Sequence, residues 1–424
     1  MKEAILMLAA NPPMGWNSWD CYGASVDENT VRQNAAYMAE HLKPYGWEYI
    51  VVDIQWYQPT AKTHEYEPFA PLHMDANGRL YPAVNRFPSS ADGAGFKPLA
   101  DYVHSLGLKF GIHIMRGLPR MAAHNHLPIA DSSLNCAQAA LSQSVCQWNP
   151  DMYGLRCSEE IRGENPGRAY YASIFRLYAQ WGVDFVKCDD IAREYPQCEK
   201  EIEIISEACR HCGRDIVLSL SPGPAPVERA EHLKAYANMW RITDDFWDQW
   251  DLLRKMFERA EKWCIHAGPG HWPDADMLPL GALRQDYSQD DWTHFTPDEQ
   301  KTMMTLWCMM RSPLMLGCEM TKLDEPTLAL ITNRDVLDIE KTTYCGHPLY
   351  TTDTASLWIA PERCGNGLYV ALFNLSDCAL QGCVTEDSLE RPVTRARELW
   401  TGQSCSGSLQ AHIAPHGCCV WRIE

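Results

Sequence analysis

The sequence predicts an α/β chain, a (β/α)8 TIM barrel followed by an antiparallel β-sandwich, and three observations carry that prediction. Short apolar runs alternate with helical patterns through the first three quarters of the 424 residues, which is the texture of repeated β-α units. Two of those runs, Phe185-Val186-Lys187-Cys188-Asp189-Asp190 and Asn238-Met239-Trp240-Arg241-Ile242-Thr243-Asp244-Asp245, stay largely apolar until they end in carboxylates. A strand that turns charged only at its end is finishing at a solvent-filled mouth, and in a parallel barrel that mouth carries the chemistry. From about Asp335 the texture becomes short strands separated by turns, without a helical pattern. The expected division is therefore a barrel over residues 1–334 and a β domain over 335–424, a sensible pair of sizes for a chain of this length.

Taken in order, the first strand is placed at Pro13-Met14-Gly15-Trp16. A helix from roughly Val31 to Leu42, closed by Lys43-Pro44-Tyr45-Gly46, leads into Tyr49-Ile50-Val51-Val52-Asp53. The Pro-, Asn- and Gly-rich stretch from Gln58 to Phe96 is a connection long enough to shape a pocket. A helix near Leu99–Ser105, stopped at Gly107, precedes Leu108-Lys109-Phe110-Gly111-Ile112-His113. The turn Trp181-Gly182-Val183-Asp184 enters the Lys187 strand. Asp215–Leu220, the Trp240-Arg241 strand, Trp263-Cys264-Ile265-His266 and Ser312–Leu316 complete eight. Ser356–Ala360, Gly367–Asn374 and Cys418–Ile423 read as strands of the second domain.

Composition narrows the partners. A formal net charge of −18 argues against nucleic acid, whose phosphates need a basic surface. The 18 cysteines are scattered over a large chain, several in apolar runs, so they read as structural thiols. Cys209-Arg210-His211-Cys212 has no second pair at zinc spacing. The opening Met1–Ala10 carries too short an apolar run, too soon followed by Asn11-Pro12-Pro13, for a secretory signal. A cytoplasmic protein is expected, with no membrane span, and with homo-oligomerisation open.

Two strand ends, each with an acid and a nearby cation, suit acid/base or nucleophilic carboxylate chemistry. The landmarks around them resemble glycoside hydrolase family 27, the α-galactosidase family. Met14-Gly15-Trp16-Asn17-Ser18-Trp19 is similar to the family's opening motif, and Lys187-Cys188-Asp189 to its nucleophile motif. Arg241-Ile242-Thr243-Asp244-Asp245 resembles its acid/base motif, and Gly268–Leu278 its Gly-Pro-Gly-x-Trp-x-Asp-x-Asp-Met-Leu segment. The resemblance implies a retaining exo-glycosidase acting on a small carbohydrate without cofactor or metal, with Asp189 as nucleophile and Asp245 as general acid/base. In such enzymes the two carboxylates stand about 5–5.5 Å apart. Lys187 should keep its neighbouring acid anionic, and Arg241 is expected to hold a hydroxyl. Asp190 and Asp244 are ambiguous neighbours that the family spacing sets aside.

Substrate choice turns on Asp53-Ile54. Galactose-specific relatives carry two consecutive acids there, which the resemblance assigns to the sugar's 4- and 6-hydroxyls. Isoleucine cannot accept a hydrogen bond, so an apolar wall at Ile54 suits β-L-arabinopyranose, which is α-D-galactopyranose without its C6 arm. α-D-Galactosidase is placed first and β-L-arabinopyranosidase second, with a non-catalytic sugar-binding barrel and a metal-dependent hydrolase as further alternatives. The chain departs from the family's pattern at His113, where relatives carry tyrosine, and at Ser219–Pro224, where they carry an acid for the 2-hydroxyl. Trp16 is expected to wall the sugar's apolar face, with Trp56 and Trp272 as weaker candidates. His113 is a candidate hydroxyl ligand. His124-Asn125-His126 is read as loop histidines, and Asp276 as either a support for the acid/base or a helix cap.

Overall fold

The computed structural model describes residues 8–62, 65–344 and 346–424; the first seven residues of the opening apolar run lie outside them. Eight parallel strands form one sheet: β1 Met14–Asn17, β2 Tyr49–Val52, β3 Lys109–Met115, β4 Phe185–Asp189, β5 Val217–Leu220, β6 Met239–Arg241, β7 Trp272–Asp274 and β8 Leu314–Leu316. Each strand pairs with its neighbour in sequence, and β1 also pairs with β8. A parallel bridge between Leu278, just past β7, and Leu316 of β8 closes the ring.

Capping residues fix where the connecting helices start and stop. Before β4, Asn165 accepts the Arg168 N–H at the start of Pro166–Trp181, with proline at the first helical position, where its missing N–H costs nothing. Gly182 ends that helix at φ +82°, a left-handed conformation that suits glycine, and turns the chain into β4. Before β8, Thr296 and Glu299 form a reciprocal capping box at the start of Pro297–Met310.

One expected strand is misplaced. Trp263-Cys264-Ile265-His266 is the tail of the helix Trp250–Trp263 and a single 3-10 turn, Cys264–His266. Those residues favour strands locally, but Trp263 belongs to the buried stripe of an amphipathic helix while Ile265 is 74% exposed. The seventh strand is Trp272–Asp274, three residues with a proline in the middle, which masks a strand to a propensity reading.

A helix, Arg334–Thr342, precedes the antiparallel region. Six strands then form one sheet in the order His347–Thr351, Ala355–Pro361, Leu368–Asn374, Cys418–Ile423, Ala396–Glu398 and Ser404–Cys405. Leu380–Val384 pairs separately with Leu409–Ile413. Leu368–Asn374 is buried at every position because both its faces are covered. Val370 and Leu372 pack with Val384, Leu409 and Ile413 in a small core, whereas Tyr369, Ala371 and Phe373 join the barrel's main core. Phe257 meets Phe373 edge to face at 5.0 Å, and Trp250 stacks on His416 at 3.8 Å. Among the described residues every cysteine is a free thiol, and no helix is long and apolar enough to cross a membrane.

Candidate active site

Side chains alternate across a strand, and the registers fix which of them share the barrel's inner face. Gly15 pairs with Tyr49, Val51 with Gly111, Gly111 with Phe185, His113 with Lys187, Lys187 with Ser219, and Asp274 with Arg241. At the strands' starts, Tyr49, Val51, Phe185, Val217, Met239, Trp272 and Met315 pack together as the barrel floor. At the C-terminal ends the same face presents Asn17, His113, Lys187, Asp189 and Arg241. A polar layer thus rests on an apolar one at the end of the barrel where βα loops build active sites.

Asp189 ends β4 and is nearly buried. The His113 Nε2 lies 2.9 Å from its Oδ2, and the Asp190 backbone N–H donates to its Oδ1 at 2.8 Å. Burial alone would raise this carboxyl. The His113 hydrogen bond and charge, then Lys187 and the Asp190 N–H, outweigh burial and hold it below the ordinary carboxylate range. Asp53 is held the same way. Lys187 Nζ at 3.0 Å and Asn17 Nδ2 at 2.7 Å both donate to its Oδ2, while the Ile54 N–H donates to its Oδ1. Burial pushes Asp53 up, but Lys187, His113, the Ile54 amide and Asn17 together bring it well down. Lys187 loses protonation tendency through burial and regains more from Asp53 and Asp189, so it stays charged.

The opposite side is built on β6. Arg241, 2% exposed, reaches Asp245 Oδ1 at 3.1 Å and Asp276 Oδ2 at 2.7 Å. Asp276 also accepts the Phe246 N–H at 2.7 Å, so it ties the loop carrying Asp245 back to the barrel and caps no helix. Burial, followed by the charges of Asp245 and Asp274, raises Asp276 despite Arg241. The two candidate catalytic acids differ sharply in exposure: the Asp189 side chain is 12% exposed and the Asp245 side chain 54%. Their ambiguous neighbours are tied elsewhere. Asp190, at φ +62°, is held by Arg116, and Asp244 accepts from Arg193 at 2.7 Å.

Trp16 does not wall the site. It lies one residue out of phase with the inner face, is fully buried among the core side chains, and donates its indole N–H to the Cys318 carbonyl. The half-buried aromatic at this mouth is Trp19, stacked on Tyr66 at 5.6 Å with 14° between the rings. Trp56 and Trp272 are also core residues; Trp56 donates to the His113 carbonyl, and Trp272 lies in the barrel floor with its indole on the Ala9 carbonyl. Ile54 is buried directly after Asp53. His124 ends a short helix and lies beside the Tyr153 ring.

Sequence reasoning also overlooked Asn17, Asp20 and Tyr66. Asp20 is 1% exposed, and its Oδ2 has no hydrogen-bond partner among the described residues. Burial, then the charges of Asp276 and Asp245, raise its carboxyl well above the ordinary range. A methyl group on Gly317 would fall 2.2 Å from that Oδ2, so glycine there makes room for the acid. Tyr66 comes from the long loop after β2. Burial and then the charges of Asp189, Asp53 and Asp245 push its phenol upward, so one hydroxyl lies within electrostatic reach of all three carboxylates.

A parallel barrel that gathers an ion-paired acid, a buried carboxylate and a half-exposed carboxylate at its C-terminal mouth is a glycoside hydrolase scaffold. The chain belongs to glycoside hydrolase family 27: the sequence model for α-galactosidase A matches residues 11–127 and 151–342, and that for the α-galactosidase C-terminal β-sandwich matches 352–423. The crystal structure of a family 27 β-L-arabinopyranosidase from Geobacillus stearothermophilus superposes with a TM-score of 0.95 at 49% identity, covering 99% of this chain and 98% of that one. An α-galactosidase from Cyamopsis tetragonoloba is 28% identical across 97% of this chain and 85% of its own length. An α-N-acetylgalactosaminidase from Gallus gallus is 27% identical over 79% of this chain and 71% of its own. The chain is a glycoside hydrolase.

Proposed function

We propose that the protein is a retaining exo-glycosidase that removes terminal β-L-arabinopyranosyl residues, with α-D-galactopyranosyl residues as the second substrate. The observation that carries the order is Ile54. It follows the ion-paired Asp53 at the position where galactose-specific relatives carry a second acid, and its side chain holds no hydrogen-bond acceptor. Leaving a hydroxymethyl oxygen unpaired against it is unfavourable by about 1–3 kcal/mol, whereas a pyranose without that arm loses nothing there. The likeness to the Geobacillus arabinopyranosidase supports the reading, and an aspartate-to-alanine variant of that enzyme has been solved in complex with arabinose. The broader α-galactosidase likeness keeps the galactoside reading as the alternative.

Asp189 is the nucleophile. Its depressed pKa keeps it anionic, and one hydrogen bond to each oxygen aims the carboxylate while leaving lone pairs for attack. It bonds to the anomeric carbon as the glycosidic C–O bond breaks, and Asp245 delivers a proton to the departing oxygen. Water then gives a proton to Asp245 and bonds to the anomeric carbon, releasing Asp189. The more exposed position of Asp245 suits an acid that must meet both a leaving group and water. His113 positions the nucleophile, Lys187 with Asn17 holds Asp53 for a sugar hydroxyl, and Arg241 orients Asp245. Initial rates on 4-nitrophenyl β-L-arabinopyranoside, α-D-galactopyranoside and α-N-acetylgalactosaminide test the assignment. The highest kcat/KM is expected on the arabinopyranoside; a higher value on either hexoside refutes the order. The first-formed sugar anomer, followed by NMR, should retain configuration.

A further inference from the structure

We propose that Tyr66, Trp148 and Phe69 form a leaving-group subsite that takes the flat apolar face of a second sugar ring. The natural substrate is then an oligosaccharide rather than a glycoside of a small alcohol. The proposal rests on the glycosidase reading above and extends its site outward. Two loops build the subsite. The loop after β2 carries Tyr66 and Phe69, and the excursion between β3 and β4 carries Trp148 and Asp151. They meet twice in the same register: the Tyr66 and Trp148 rings lie 5.2 Å apart at 49°, and the Phe69 N–H donates to Asp151 Oδ1 at 2.6 Å. On its other flank Tyr66 stacks on Trp19, so Trp19, Tyr66 and Trp148 form a continuous series of three rings.

Trp19 is tied to the site through its backbone N–H, which donates to Asn17 Oδ1 at 2.9 Å while Asn17 donates to Asp53. Stacked on Trp19, Tyr66 feels the charges of Asp189, Asp53 and Asp245, and Asp245 is the acid that must protonate the departing oxygen. The aromatic surface next to Tyr66 therefore borders the path of the leaving group. Trp148 remains half-exposed and Phe69 is 68% exposed. Phe69 also sits at φ +63°, a region unfavourable for any residue with a Cβ and uncommon for bulky ones. Its ring faces the Arg120 guanidinium at 5.0 Å, with the Tyr153 ring 4.8 Å from the same cation. A large apolar side chain held outward in a strained backbone, braced by a cation, is a presented surface rather than a loop accident. Aromatic rings with a polar tip suit ligands that are apolar on one face and wet on the other, as sugar rings are. Trp148 lies between the two stretches that match the family's barrel model, 11–127 and 151–342, so this half of the surface comes from residues outside that match.

The test compares kcat/KM for a disaccharide bearing the preferred terminal sugar with that for its methyl and phenyl glycosides, in wild type, Trp148→Ala and Phe69→Ala. The disaccharide-to-methyl ratio should fall about tenfold in Trp148→Ala, the scale of one lost aromatic contact, and roughly threefold in Phe69→Ala. An unchanged ratio in both variants overturns the subsite. A fall in the phenyl-to-methyl ratio with the disaccharide ratio intact overturns the sugar assignment in favour of an aromatic aglycone. Should Trp148→Ala fail to fold, the solvent-exposed Phe69→Ala decides alone. A wild-type enzyme that cleaves none of these glycosides sinks the proposed function instead, which separates the two failures.

Discussion

Replacing Ile54 with aspartate restores the second acid of galactose-specific relatives and puts the specificity argument to its sharpest test. The side chain is 1% exposed, so the exchange forfeits about 1.5–3 kcal/mol of apolar burial. With an unfolding entropy near 2.1 cal/mol/K per residue, that lowers Tm by only about 2–3 °C in a chain of this size. The new carboxylate would stand next to Asp53, whose charge Lys187 already balances and which Asn17 holds by a hydrogen bond, which limits the repulsion. A hydrogen bond from the galactose hydroxymethyl group to an ionised acceptor contributes about 1.5–3 kcal/mol. The galactoside-to-arabinopyranoside ratio of kcat/KM should therefore rise about 10- to 150-fold, measured with the two nitrophenyl glycosides on folded protein. Ile54→Ala separates the causes, since it opens room for the C6 arm without supplying an acceptor and should raise the ratio less. A ratio that stays the same in Ile54→Asp would remove Ile54 from the account of specificity.

Asp189→Asn should cut turnover on every glycoside by at least about a thousandfold, read as initial rates with protein folding checked by circular dichroism. Asp245→Asn should lower kcat/KM by about 10²–10⁴ on glycosides with poor leaving groups and far less on nitrophenyl glycosides; equal losses on both would exclude Asp245 as the acid. His113→Phe removes the strongest support for the Asp189 anion, so that carboxyl should rise toward the ordinary range and the acidic limb of the pH–rate profile should move to higher pH. The same linkage acts on folding. A depressed Asp189 adds stability above its unfolded pKa, and that stability is lost as pH falls through the lower folded value. Asp20 works in the opposite sense: between the ordinary carboxylate pKa and its raised folded value, the native state binds the proton more tightly, so stability declines as pH rises. Asp20→Asn should flatten that decline, as urea unfolding between pH 4 and 8 would reveal.

Much of the site could be read from the sequence because barrel chemistry is written at strand ends. Phe185–Asp189 and Met239–Arg241 stand out as apolar runs closing in charge; Asp189 ends its strand, and Asp245 lies four residues past Arg241 and pairs with it. At Trp16 motif resemblance and strand parity point in different directions, and parity prevails. Counting in twos along β1 puts Asn17 on the inner face and Trp16 against the helices, and the register confirms that phase. The seventh strand escaped notice because three residues centred on Pro273 carry little local preference, whereas the neighbouring helix tail is rich in strand-forming side chains. Tyr66 and Trp148 had no periodic signal at all. They lie on irregular loops more than eighty residues apart in sequence, and only tertiary packing brings their rings to 5.2 Å. Asp20 is invisible for a related reason, since nothing local announces that a carboxyl after Trp19 will be sealed from water beside Gly317.

The helix Pro297–Met310 leads into β8 and carries Met303, Met304, Leu306, Trp307, Met309 and Met310, all without solvent exposure. The β-sheet covers part of it: Thr302 donates to the His416 carbonyl, Thr305 meets the Cys418 thiol, and Trp400 donates to Thr305. Truncating the chain after Thr342 would strip that cover and leave sulfur-rich, oily side chains facing water. Such a fragment should be recovered from inclusion bodies even though it retains every catalytic carboxylate, so the trailing sheet serves the enzyme as a lining for its scaffold and is no detachable accessory.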